Sequence, residues 1–224
     1  MTGPALLSAG LVLKEGSHGE DVDGPCCLVE AEIVHVLRRP VKSDVDPTIC
    51  PVIRAMAIGL NDAYPDSPAG DVARTADLGC FVGRLAGTKA TPAVEEQRSL
   101  LALDWLIRVY TPAWLRLVPV LVADADLLVA AHRIDGLDAA EAVGDIVRAA
   151  QSNASAAWSG ASSAAESGAR SAAWSAAESA ALSAALSAAE SAARSAAEDV
   201  LAPTVTTLRA SAIDLLDRMI DVTA

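Results

Sequence analysis

The chain has 224 residues, and its 17 basic against 29 acidic side chains give a net charge of −12, a balance that repels phosphate backbones and anionic lipid and points away from nucleic acid and membrane surfaces. It is 52% hydrophobic but only 3% aromatic, so alanine, which buries little area per residue, supplies much of the apolar count. This length supports one large helical domain or two small ones without a disulfide or metal staple, and the four cysteines at 26, 27, 50 and 80 match neither a disulfide scaffold nor a paired CxxC metal spacing.

Residues 1–24 hold the uncharged run Pro4 to Leu13 and then the polar stretch Glu15 to Asp21. The run is too short to cross a bilayer and lacks the basic flank of a signal peptide, so an extended arm and loop in a cytoplasmic protein are expected. From Cys26 the apolar spacing becomes helical: Leu28, Ala31, Val34, Ile33 and Leu37 form a wide stripe that stops before Pro40, which predicts a first helix over residues 26–38. The basic pair Arg38-Arg39 reads as a cap on its C-terminus.

Proline then marks four further helix starts, at Pro51, Pro68, Pro92 and Pro112, each behind a residue able to cap. Their expected core faces include Ile53 and Leu60; Val72, Leu78 and Phe81; Leu103, Leu106 and Tyr110; and Trp114, Leu115 and Val118. Pro119 interrupts the last helix, a further one is expected over 121–131, and Asp135-Gly136 makes a turn before Asp138 caps another start.

Ser155 to Glu198 is a repeat of eleven Ser-Ala-Ala-X tetrads with a few substitutions. Alanine has the best helix propensity and the Glu166/Arg170 and Glu190/Arg194 pairs stand four apart in the favourable order, so the tract is helical. A four-residue period drifts by roughly 40° per tetrad against a 3.6-residue turn, so the X residues wind around the helix and no 3.5-residue coiled-coil seam persists. As one helix the tract would be roughly 66 Å long; it either projects, folds into a hairpin near Gly160 to Gly168, or runs along a partner subunit. Trp158 and Trp174 face nearly opposite sides, and with Leu182 and Leu186 they are the expected anchors for close packing against other helices.

The expected organisation is all-α: an arm over 1–24, a multi-helix domain over 25–135, the Ala/Ser helix or hairpin over 136–202, and an amphipathic C-terminal helix over 203–224 docked on the core through Leu208, Leu215 and Met219.

The chain has no Gly-rich phosphate loop, HExxH, GxSxG or paired CxxC, so no enzyme class is indicated and no cofactor is implied. Three Asp-x-Asp pairs, at 21/23, 44/46 and 124/126, could contribute to a divalent-cation site but none continues into an EF-hand loop. The best chemical constellation is Cys27, His35, Asp44, Asp46 and Cys50, with Cys26 beside it, where helix starts and a loop could join thiol, imidazole and carboxylate; the same residues also read as buried thiols and a surface histidine. A cleft beside Trp105 and Arg108 is a second possible ligand site.

The segments Cys27-Leu28-Val29-Glu30, Ser43-Asp44, Cys50-Pro51-Val52-Ile53, Leu60-Asn61-Asp62, Pro65-Asp66 and Asp104-Trp105, followed by an Ala-rich tract and a closing Leu-Ala-Pro-Thr-Val helix, resemble a group of uncharacterised helical proteins of actinobacteria and their phages. Val45 stands where that group often has His. The resemblance implies a helical fold and a bacterial or phage source, and no activity. The reading this supports is a structural or interaction protein whose Ala/Ser helix mediates self-association; the alternative is a small-ligand or metal-binding protein built on Cys27, His35, Asp44 and Cys50.

Overall fold

A computed structural model describes residues 10–16, 26–40, 43–176 and 181–223, and side chains for all of these except 158–199. Every regular element among them is helical, which is the all-α class expected. The chain divides into two compact units, 1–103 with 209–224, and 104–208, so the division falls elsewhere than the expected boundary near 135.

The first unit is assembled around an extended arm. Leu13 is fully buried and forms an isolated bridge with Cys26, the Lys14 N–H donating to the Cys26 carbonyl at 3.0 Å. The partner for the arm is therefore the entry to the first helix. That helix, α1 (Leu28–Ala31), runs directly into a π-helical turn (Glu32–Val36). It is shorter than the expected 26–38: Cys27 is its N-cap, and Arg38 adopts a left-handed φ of 57° that no continuing helix allows. As expected the Arg38-Arg39 pair caps this end, but through its backbone: the Arg39 N–H donates to the Ile33 carbonyl at 3.1 Å, while the Arg39 guanidinium reaches Asp46 at 2.6 Å.

Pro51 and Pro68 open α2 (Pro51–Asn61) and α3 (Pro68–Leu78), which a 3-10 turn (Gly79–Phe81) extends. Ser67 caps α3 by accepting from the Gly70 N–H at 3.1 Å. A Cβ on Gly70 would lie 1.9 Å from the Pro65 carbonyl oxygen, so only glycine allows that approach. Ile53, Leu60, Leu78 and Phe81 are buried as expected, with Leu85 beside them in the buried set, while Val72 is 70% exposed.

Two fully or nearly fully buried arginines tie the first unit together. Arg74 pairs with Asp71 and donates from Nε to the Asn61 carbonyl at 2.7 Å, and its Nη atoms reach the Leu13 and Tyr64 carbonyls at 3.3 Å. Arg98 is held on backbone oxygens at the chain's C-terminal end, those of Met219 at 2.8 Å and Val222 at 2.9 Å, and also on that of Thr88. A guanidinium among the last carbonyls of a helix meets both their lone pairs and the negative end of its dipole. Leu215, Leu216 and Met219 are fully buried beside it. Glu32, also buried, accepts from the Gly83 N–H and, at 2.8 Å, from the Ala86 N–H; burial raises its pKa above the ordinary carboxylate value against the effect of those bonds.

Pro92 opens α4 (Pro92–Trp105), but Pro112 starts no new helix. The backbone continues through a π-helical turn (Leu106–Tyr110) into α5 (Thr111–Leu115). Proline lacks an N–H and its ring crowds the carbonyl four residues back; the wider π turn immediately before Pro112 accommodates both.

In the second unit Pro119 opens a 3-10 turn (Pro119–Leu121), followed by α6 (Val122–Ala130) and the start of α7 (Leu137–Ala176). Leu121, Ala125, Leu128, Ile134, Val143 and Ala150 form its buried centre. Asp104 accepts from the Ile134 N–H at 2.9 Å, and Asn153 donates to Asp124 at 2.9 Å. Leu106, Tyr110 and Val118, expected in a shared core, are exposed.

The repeat is carried by two helices, α7 and α8 (Ala181–Asp221), of 40 and 41 residues. The hairpin expected near Gly160 to Gly168 is not there, since both glycines lie inside α7. A glycine costs a helix interior about 1 kcal/mol, too little to break one so rich in alanine. The boundary expected at 203 is likewise absent, because α8 runs through Pro203 without ending. Asp214 and Arg218, four residues apart, pair on its exposed side at 3.0 Å.

Candidate functional site

Cys27 occupies the N-cap of α1, where its Sγ accepts from the Glu30 N–H at 3.4 Å while the Glu30 carboxylate accepts from the Cys27 N–H at 2.8 Å. This reciprocal capping box folds Glu30 back over the helix start. Cys27 is 4% and Glu30 1% exposed, so the thiol and the carboxylate are both enclosed. The loop between α1 and α2 then brings Asp44 alongside. One ligand atom each from Cys27, Glu30 and Asp44 lie within 4.8 Å of one another. Asp44 Oδ1 is sealed from solvent and receives no hydrogen bond. Burial pushes the Asp44 carboxyl above its ordinary value, with Glu30 and Asp62 adding to the effect and Arg54 opposing it.

Of the five residues expected to form the constellation, the fold thus joins Cys27 and Asp44. His35 lies half-buried in the π turn. Asp46 is turned to other work: it accepts from the Thr48 N–H at 2.8 Å and Oγ1 at 2.5 Å and pairs with Arg39. Burial pushes its pKa up, but those bonds outweigh it and hold the carboxyl below its ordinary value. Cys50 is fully buried before α2, its N–H donating to Thr88 Oγ1 at 3.0 Å. His35, Asp46 and Cys50 belong to no group of three potential metal ligands among the described residues. Glu30 is the member that sequence reasoning missed. Its signal was available, because a cap residue followed three positions later by Glu is the spacing of a capping box.

Burial pushes the thiols of Cys26 and Cys27 up to about 12. Both are protonated at neutral pH, which disfavours a role as free nucleophiles. Cys80 is the exposed thiol. Of the Asp-x-Asp pairs, 21/23 lies outside the described residues, and in the third Asp124 is bonded to Asn153 and Asp126 to Arg116 at 2.8 Å.

A different kind of surface occupies the second unit. Ten of the fourteen exposed large apolar side chains among the described residues fall between 106 and 137, with Val120 at 76%, Leu137 at 68% and Leu127 at 57%. Such residues usually occur singly on a protein surface, whereas here they are concentrated in one segment. Beside them Trp105, Tyr110 and Trp114 form a chain of ring contacts at 5.3 and 6.1 Å between centroids. Trp114 Nε1 and Arg108 Nε are buried without hydrogen-bond partners. At the expected cleft beside Trp105 and Arg108, Arg108 pairs with Asp104 at 3.3 Å. The same unit has an apolar cavity of about 300 Å³ lined by Ile107, Thr111, Leu115, Leu128, Val147 and Ala150 among others. The side chains of Trp158, Trp174, Leu182 and Leu186, the expected interaction anchors, lie outside the described residues.

No helix among the described residues is long and apolar enough to cross a membrane. Comparison with protein-family models, with curated proteins and with solved structures finds no match to this chain.

Proposed function

We propose that the protein acts by binding another protein chain, in the first place a second copy of itself, through the apolar surface of residues 106–137 together with the Ala/Ser helices. The observation that carries this reading is the crowding of exposed Leu, Val and Tyr side chains into that one segment of the second unit. Aromatic side chains beside it supply the residue type that dominates interface energetics. The Ser-Ala-Ala tetrads of α7 and α8 contribute small surfaces that let helix axes approach to about 8 Å. The negative net charge argues against phosphate-rich partners, and the same reading puts the protein in the cytoplasm of a bacterial cell. Native mass spectrometry of the untagged protein tests it: an oligomer at micromolar concentration supports self-association, whereas a strict monomer sinks it.

A further inference from the structure

The three donors gathered at the start of α1 differ from a surface acidic patch in two respects. Two of them belong to side chains more than nine-tenths buried, and the third, Asp44 Oδ1, is an enclosed oxygen that receives no hydrogen bond. A buried carboxylate oxygen without a donor loses its hydration and gains nothing in return. A cation placed between the three side chains would remove that cost.

The donor set restricts which cation fits. Hard ions such as Ca²⁺ and Mg²⁺ take six or more oxygens and gain little from sulfur, whereas zinc accepts one thiolate with carboxylates in a tetrahedral shell. Zn–S and Zn–O distances of about 2.3 and 2.1 Å place tetrahedral donors roughly 3.5 Å apart. The donors here lie within 4.8 Å of one another, so closing on an ion takes a shift of the order of 1 Å, within reach of Asp44 on its half-buried loop.

We propose that Cys27, Glu30 and Asp44 form a three-ligand site for a borderline divalent cation of the zinc class, its fourth position filled by water. On binding, the cation replaces the Cys27 thiol proton, which passes to solvent, and a sulfur–metal bond forms. The bond from the Cys27 N–H to the Glu30 carboxylate, at 2.8 Å, holds that side chain over the helix start. The site thereby fastens the 43–50 loop to the start of α1.

The test is a zinc titration against a chromophoric chelator in a Cys80→Ser background, which removes the exposed thiol. The expected result is one ion per chain and an affinity at least about tenfold weaker in Asp44→Asn. Cobalt substituted for zinc should give a thiolate-to-metal charge-transfer band that Cys27→Ser abolishes. Serine is a strong N-cap residue, so that variant keeps the helix start, and circular dichroism of each variant checks the fold. Should Cys27→Ser fail to fold, Asp44→Asn decides. Absence of stoichiometric zinc binding, unchanged affinity in Asp44→Asn, or a charge-transfer band that persists in folded Cys27→Ser would overturn the proposal.

Discussion

Arg74 is fully buried, yet it reaches the backbone of the arm, of α2 and of the loop after α2 through one guanidinium. Its planar fork suits several carbonyls at once in a way that a lysine ammonium does not. Arg74→Met removes these bonds and leaves Asp71 buried with Lys14 Nζ at 3.5 Å; urea unfolding should show a loss of about 3–5 kcal/mol. The companion variant Arg74→Met/Asp71→Leu should regain part of it, because the uncompensated carboxylate is gone. Asp46 offers a pH test. Its folded carboxyl is held below the ordinary value of 3.8, so the unfolded chain takes up the proton first. The stability from its ion pair with Arg39 is therefore present above pH 3.8 and lost as the pH falls through the lower, folded value. Asp46→Asn keeps an acceptor for Thr48 but loses the charge: it should be less stable by about 1 kcal/mol at pH 7, with the gap closing as acid unfolding is followed below pH 3.8.

At the level of elements, the end of α8 is fixed from outside itself. Arg98 closes carbonyls at Met219 and Val222, and Arg84 adds exposed ion pairs to Asp217 at 2.6 Å and Asp221 at 3.4 Å. Exposed pairs of this kind contribute little, so the buried contact is the one that matters. In Arg98→Ala, hydrogen exchange over 215–222 should rise by at least an order of magnitude with the core helices α2 and α3 still protected, while Arg84→Ala should leave it within a factor of a few. The sequence carried much of this level. Pro51, Pro68 and Pro92 announced their helices because proline's missing N–H is harmless only in the first turn. The same rule failed at Pro112, where a preceding π turn absorbs the ring and the helix runs on, and the bound expected at 203 failed because an alanine- and leucine-rich helix tolerates Pro203 in its interior. Asp44 and Cys27 were legible as chemistry by residue type. Glu30 was legible only through its capping-box spacing from Cys27, a weak signal where cysteine stands in place of the usual serine, threonine, aspartate or asparagine cap. Arg74 and Arg98 were hidden, since a charged side chain carries no mark of burial until the carbonyls it serves are assembled around it.

For the whole molecule, the apolar periodicity that located the helices could not say which faces would remain uncovered. Val72, Leu106, Tyr110 and Val118 have core-like spacing but stay exposed, and apart from Val72 these belong to the segment that carries most of the apolar surface. A helical stripe records which face seeks burial; whether its cover comes from the same chain or another is decided by packing. In the proposed function a second chain covers residues 106–137. Sedimentation equilibrium over a hundredfold concentration range, comparing the unaltered protein with Val120→Asp/Leu127→Asp, tests that most directly. Both side chains are well exposed, so the folded chain accepts the charges, while a desolvated interface would not. The predicted result is an oligomer for the unaltered protein and a folded monomer, or an association at least about a hundredfold weaker, for the variant. A protein that is monomeric throughout, or an oligomer that the two aspartates leave intact, would contradict it.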